Sequence, residues 1–215
     1  MDSEKFSKYF KLMQERPKLF KDSENVRIER NIKIIENYEQ QHDVKIGIAY
    51  ESRYNFLVVD LLHEEGKGYY TYERIIPFAK GKAVVVVVLC KGEFVLLHQY
   101  RYPICDYQYA FVRGFGEKEL TGEENAAKEV WEELGTQAIG ITYLGEIHAD
   151  SGLLASGVSV YSCNVENISC PDGHEGIQQI FCVSAGELDQ MIKEGKITDG
   201  FTLSALRLYQ SLSLD

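Results

Sequence analysis

Glu129 stands three residues before Glu132 and four before Glu133 in a stretch that carries the signals of a helix. That spacing sets their carboxylates on one helical face, where like charges repel. A hard, oxygen-seeking divalent cation such as Mg²⁺ or Mn²⁺ relieves the repulsion, and the loop before the helix can add a main-chain carbonyl as a further ligand. For a Glu-x-x-Glu-Glu run taken alone, the alternative is an acidic, solvated helix face.

The surrounding residues say how such a helix would be built. Thr121 and Glu124 have the spacing of a capping box, Ala126 and Ala127 are strong helix formers, and Gly135 stands where a helix commonly ends in a left-handed cap. These signals predict a helix over Gly122–Leu134, fed by the glycine-rich loop Arg113-Gly114-Phe115-Gly116.

Around that segment the chain alternates strands and helices. Apolar spacing predicts amphipathic helices at 3–16 and 31–41, then β-branched and aromatic residues predict strands at 44–50, 55–62 and 68–76. Val84 to Val88 form an uninterrupted apolar run, as expected of a strand covered on both faces. Lys91-Gly92-Glu93 reads as a hairpin turn into a strand at 94–100, followed by strands at 107–112, 138–147, 158–165 and 178–183. Ser184 with Glu187 starts a helix reaching Lys193, and 199–212 forms a last amphipathic helix. The expected class is α/β, with an N-terminal helical and β-rich extension. The boundary falls near 77–82, giving an extension at 1–80 and a second domain at 81–215.

The loop and helix together resemble the Nudix box. That motif reads Gly, five residues, Glu, seven residues, Arg-Glu, an aliphatic residue, one residue, Glu-Glu, one residue, Gly, aliphatic. Gly114, Glu129, Val130, Glu132, Glu133 and Gly135 match it, whereas Leu120, Lys128 and Thr136 depart from it. His98-Gln99-Tyr100-Arg101-Tyr102 is similar to a strand-end segment of the ADP-ribose pyrophosphatase branch, and 111–117 resembles the loop leading into the box there, with Ala110 where glutamate is frequent.

The resemblance implies an α/β/α sandwich around a mixed sheet, and divalent metal, Mg²⁺ or Mn²⁺, that polarises a diphosphate while water attacks phosphorus and a nucleoside monophosphate leaves. It implies Glu129 and Glu133 as leading metal ligands, Glu132 as a third ligand or the base, and the main-chain oxygen of Arg113 as a further metal contact. Arg101 would face the substrate phosphates, with Arg113 beside them. Related chains often take a base from a separate loop, here 148–157, but Gly157 stands where they carry a glutamate, so Asp150, Glu132 and Glu175 are the candidates. ADP-ribose or a nucleotide sugar is the expected substrate. The departures from the box leave a second reading open, a Nudix-fold nucleotide-binding or regulatory protein with weak catalysis.

Composition sets the outer limits. The chain has 215 residues and a formal net charge of −10, which disfavours a nucleic acid polymer as partner because such binding rests on Lys and Arg displacing counterions. Bulk charge does not exclude a small anion carried with metal. No apolar run approaches the length that spans a bilayer and no secretory segment is recognisable, so a cytoplasmic protein without membrane contact is expected. Cys90, Cys105, Cys163, Cys170 and Cys182 show no zinc-site spacing and are expected as reduced, mostly buried thiols. Phe6, Phe10, Ile32, Ile35, Tyr50, Phe56 and Val58 lie in an extension too small for a generous core of its own. The resembling branch completes it with a second subunit, so a homodimer is expected.

Overall fold

Phe6, Tyr9 and Met13 recur at helical spacing, and helix α1 (Asp2–Glu15) buries all three. In this computed structural model, which describes residues 2–169 and 176–212, the chain divides into two compact units. One comprises Met1–Phe78 with Asp150–Ser156, the other Ala79–Ala149 with Gly157–Asp215.

The first unit continues with strand β1 (Val26–Ile28), helix α2 (Ile32–His42), capped by the Asn31 side chain, and strands β2 (Gly47–Glu51), β3 (Asn55–Glu64) and β4 (Gly68–Pro77). The long β3 pairs antiparallel with β1, β2 and β4. Tyr9, Leu12, Met13, Phe20, Phe56, Val58 and Ile76 form one core cluster of this unit, and Phe6, Ile35, Ile46 and Leu61 form another. The extension therefore does build a core, contrary to the expectation from its size, because α1 covers a four-stranded sheet. Ile32 and Tyr50, counted among its apolar residues, remain exposed.

Tyr9, Asp60 and Arg74 make a buried polar tie within this unit. The Tyr9 hydroxyl donates to Asp60 Oδ1, and Arg74 Nε donates to Asp60 Oδ2 at 2.6 Å. Burial first, and then the Asp60 charge, push the Tyr9 phenol far above its ordinary pKa, so it acts as a donor.

The two units divide at Phe78, and residues 150–156 belong with the first of them. The outer edge of β4 takes them up: Ile75 N donates to Leu153 O at 2.8 Å, and Ala155 N donates to Ile75 O at 2.9 Å. Tyr72 adds a hydroxyl bond to Gly152 O. A sheet edge presents unpaired main-chain groups, and this loop satisfies some of them.

The second unit is built on strands β5 (Ala83–Cys90), β6 (Glu93–Arg101), β7 (Asp106–Ala110), β8 (Val112–Gly114), helix α3 (Gly122–Leu134), strands β9 (Ile139–Ile147), β10 (Val158–Val165) and β11 (Ile177–Val183), then helices α4 (Ala185–Lys193) and α5 (Gly200–Leu212). The sheet order is β11-β6-β5-β10-β9, with β7 against β6 and β8 against β5. Strands β5 and β10 run parallel and the other pairs antiparallel, so the sheet is mixed. Period-2 alternation sends Val84, Val86 and Val88 to one face, under Ala126, Val130 and Leu134 of α3. Val85 and Val87 point to the other face, with Leu188 of α4 and Ala205 and Leu206 of α5. This is the expected α/β/α layering.

The strand expected at 107–112 is two strands, interrupted at Phe111, and this break lets the chain leave β6 and pair with β5 instead. Four cysteines lie among the described residues, all free; Cys90 and Cys163 are buried, but Cys105 and Cys182 are exposed. Among the described residues no helix is long and apolar enough to cross a membrane.

Candidate active site

Helix α3 is fixed at both ends by its own sequence. Thr121 Oγ1 accepts from Glu124 N at 3.2 Å, and Glu124 Oε2 accepts from Thr121 N at 2.8 Å. At the far end Gly135 takes φ +63°, and a β-carbon there would stand 2.5 Å from Ser169 O. Val130 and Leu134 are fully buried, each contributing about 1.5–3 kcal/mol. The adjoining face of this anchored helix carries Glu129 and Glu133.

Both carboxylates are buried against the chain leaving β8. Glu133 Oε2 accepts from Arg113 N at 3.3 Å. Glu129 lies over Gly114, where a β-carbon would come within 1.9 Å of its Cδ atom. Only glycine leaves room for that carboxylate. Glu132 is turned outward and accepts from Lys128 Nζ at 2.6 Å, the same ammonium standing 3.1 Å from Glu117 and 3.8 Å from Glu129. Burial opposes the Lys128 charge, but hydrogen bonds to Glu132 and Glu117, with the Glu129 and Glu132 charges, outweigh it and hold its pKa above the ordinary lysine value.

The Arg113 side chain leaves the glutamates. Its guanidinium donates to Asp199 Oδ1 at 3.1 Å and lies 5.1 Å from the Phe201 ring centroid. Asp199 Oδ2 in turn accepts from Thr202 N at 2.9 Å and Thr202 Oγ1 at 2.7 Å, and Thr202 Oγ1 accepts from Phe111 N. The main chain of Arg113 is thus at the glutamates, whereas its charge is committed to the start of α5. Arg101 ends β6, half-buried, opposite Asp106 in the β6–β7 ladder.

The base candidates separate. Asp150 belongs to the first unit, where its Oδ1 accepts from Gly152 N at 3.0 Å. Glu175 lies outside the described residues. At Gly157 a β-carbon would stand 2.6 Å from Glu146 Oε1, so the Glu146 carboxylate of β9 fills the space a side chain at 157 would need. Glu146 pairs with Lys82 Nζ and lies 4.0 Å from His148 Nε2. The Lys82 hydrogen bond holds its carboxyl below the usual carboxylate range despite partial burial, with the Lys82 and His148 charges acting in the same direction.

Asn125, Glu146 and Asp199 were not among the residues expected at the site. Asn125 had a readable signal: it stands four residues before Glu129, on the same helical face. Glu146 and Asp199 had none, because both reach their partners only through tertiary pairing.

Among the described residues, no three His, Cys, Asp or Glu side chains already stand together as a metal site. The two buried carboxylates nonetheless offer the oxygen donors that a hard divalent cation takes, beside the main chain at Arg113 and Gly114.

A model of the NUDIX domain matches residues 79–197, more than half of the chain. The chain belongs to the Nudix family. Membership makes it a Nudix hydrolase, a class that cleaves nucleoside diphosphate linkages and generally works with divalent metal. Among solved structures, this Nudix chain is similar to one described as an ADP compounds hydrolase, at 17% identity and a TM-score of 0.67, over 79% of this chain and 91% of that one. Identity that low establishes a shared fold. No curated protein sequence matches the chain.

Proposed function

We propose that this Nudix protein hydrolyses a nucleoside diphosphate joined to another moiety and releases a nucleoside monophosphate, with ADP-ribose or a nucleotide sugar as preferred substrate. The observation that carries the reading is the burial of Glu129 and Glu133 against Gly114 and the Arg113 main chain. The ADP compounds hydrolase with the same fold supports the substrate class.

Glu129, Glu133 and the Arg113 carbonyl would hold Mg²⁺ or Mn²⁺. Such a bound ion withdraws charge from phosphate oxygens and makes water a better nucleophile near neutral pH. Glu132, the exposed member of the three, would act as a further ligand or take the proton of the attacking water. Arg101 supplies positive charge for the phosphates. The Arg113 guanidinium, also expected beside the phosphates, is paired with Asp199. Lys128 offsets the repulsion among the box carboxylates and is held by Glu117 although Leu120 occupies the box's first glutamate position.

A homodimer is part of the same reading, and Tyr50, Tyr54 and Tyr69 of the first unit are exposed.

The test is substitution at the buried pair. Glu129→Gln and Glu133→Gln each keep the volume and remove a ligand charge, so each is expected to lower Mg²⁺-dependent hydrolysis by at least about a hundredfold in a protein with an unchanged circular dichroism spectrum. Wild-type turnover in either variant contradicts the assignment.

A further inference from the structure

Three consecutive loop residues meet one face of the box helix in order. Glu133 accepts from Arg113 N, Glu129 packs on the α-carbon of Gly114, and Asn125 donates from Nδ2 to Phe115 O at 2.9 Å. Positions 133, 129 and 125, one helical turn apart, thus read 113, 114 and 115. We infer that Asn125 is a positioning residue of the active site, fixing the loop so that the Arg113 and Gly114 main chain faces Glu129 and Glu133.

Asn125 is fully buried, and its second Nδ2 bond, 3.1 Å to Lys82 O, ties in the segment that leads into β5. These two acceptors settle the amide orientation, since turning it over would set Oδ1 against two carbonyl oxygens. The segments it joins touch through bare main chain. A β-carbon at Gly81 would lie 2.0 Å from Glu117 O, and one at Gly116 would lie 2.2 Å from the Gly81 carbonyl. No side chain separates them, so Asn125 grips both at the level of the backbone.

The local cost shows that helix stability does not call for this residue. Asparagine is a poorer helix former than the alanines that follow it. Its Oδ1 is buried and accepts no hydrogen bond among the described residues, a penalty of about 1–3 kcal/mol. Alanine would avoid both costs but would free Phe115 O and Lys82 O. Phe115, 84% exposed, cannot anchor the loop through its ring. Phe115 therefore holds the loop through its carbonyl rather than its ring.

This inference rests on the metal-dependent reading above, and the experiment separates the two. Mn²⁺ binding to the full chain is measured by electron paramagnetic resonance for wild type, Asn125→Ala and Asn125→Asp. Amide hydrogen exchange over 113–117, thermal melting and kcat at saturating substrate are recorded alongside. Both variants are expected to bind Mn²⁺ about tenfold or more weakly, with faster exchange over 113–117 and a comparable fall in kcat. Aspartate, which points an oxygen at a carbonyl, is expected to be the worse. Asn125→Ala suits a helix and carries the test if Asn125→Asp does not fold. A lowered melting temperature with wild-type Mn²⁺ affinity and kcat in Asn125→Ala overturns the positioning role and leaves the proposed function standing. Wild-type protein that takes up no Mn²⁺ overturns both.

Discussion

The Glu129 carboxylate rests on the α-carbon of Gly114, with no space for a β-carbon between them. Gly114→Ala must therefore push Glu129 away or displace the loop. We expect a fall in kcat of about tenfold or more, with the sheet intact by circular dichroism. Turnover equal to wild type in steady-state assays would show that the loop yields freely and that the contact is incidental.

Leu120→Glu tests the opposite kind of position. Lys128 already has Glu117 at 3.1 Å, and Leu120 is half-buried beside the turn in which its N–H donates to Glu117 O. Restoring the box glutamate is expected to leave kcat within about threefold of wild type, well inside the effect of losing a supporting partner. A large loss, read in the same assay, would mean that Leu120 packs in a way the polar chain cannot.

Much of this site is legible in the sequence. The capping signals of Thr121 and Glu124 and the left-handed Gly135 bound α3 without reference to anything distant, and Val84 to Val88 announce a strand covered on both faces. The three-residue β1 carries no period to read, and the split at Phe111 depends on β5 offering a partner to Val112–Gly114. The order in which 125, 129 and 133 meet 115, 114 and 113 requires the loop's path, which no local rule supplies. Thr136 departs from the aliphatic residue of the box yet is buried all the same.

Asp199 links α5 to β8, so its loss should be felt as stability. Asp199→Ala leaves the largely buried Arg113 guanidinium without its carboxylate and removes the cap on Thr202 N. We expect a loss of about 3–5 kcal/mol in urea unfolding. A change under about 1 kcal/mol, the range of an exposed pair, would contradict this role.

Glu146 gives a pH signature. Its folded pKa lies below the ordinary value, so the stability it contributes is present above the unfolded carboxylate pKa, about 4.3, and is lost as pH falls through the lower folded value. The pair with Lys82 is more than a third exposed, which limits it to under about 1 kcal/mol. Urea unfolding of wild type and Glu146→Gln should differ slightly at pH 7 and converge in acid. A gap that widens in acid contradicts the pairing.

Light scattering after gel filtration checks the proposed assembly. A homodimer predicts twice the 24.5 kDa chain mass at micromolar concentration. A monomer that hydrolyses its substrate at the full rate would remove the second subunit from the proposal.

The most direct measurement of the proposed chemistry is release of nucleoside monophosphate from a panel of ADP-ribose, nucleotide sugars, dinucleoside polyphosphates and NADH, with Mg²⁺ or Mn²⁺ and with the metal chelated. The expected result is metal-dependent release of the monophosphate from ADP-ribose or a nucleotide sugar, abolished by chelation and by Glu129→Gln. Absence of turnover with every compound, in folded protein supplied with either metal, would contradict hydrolysis and leave a nucleotide-binding protein on a Nudix fold.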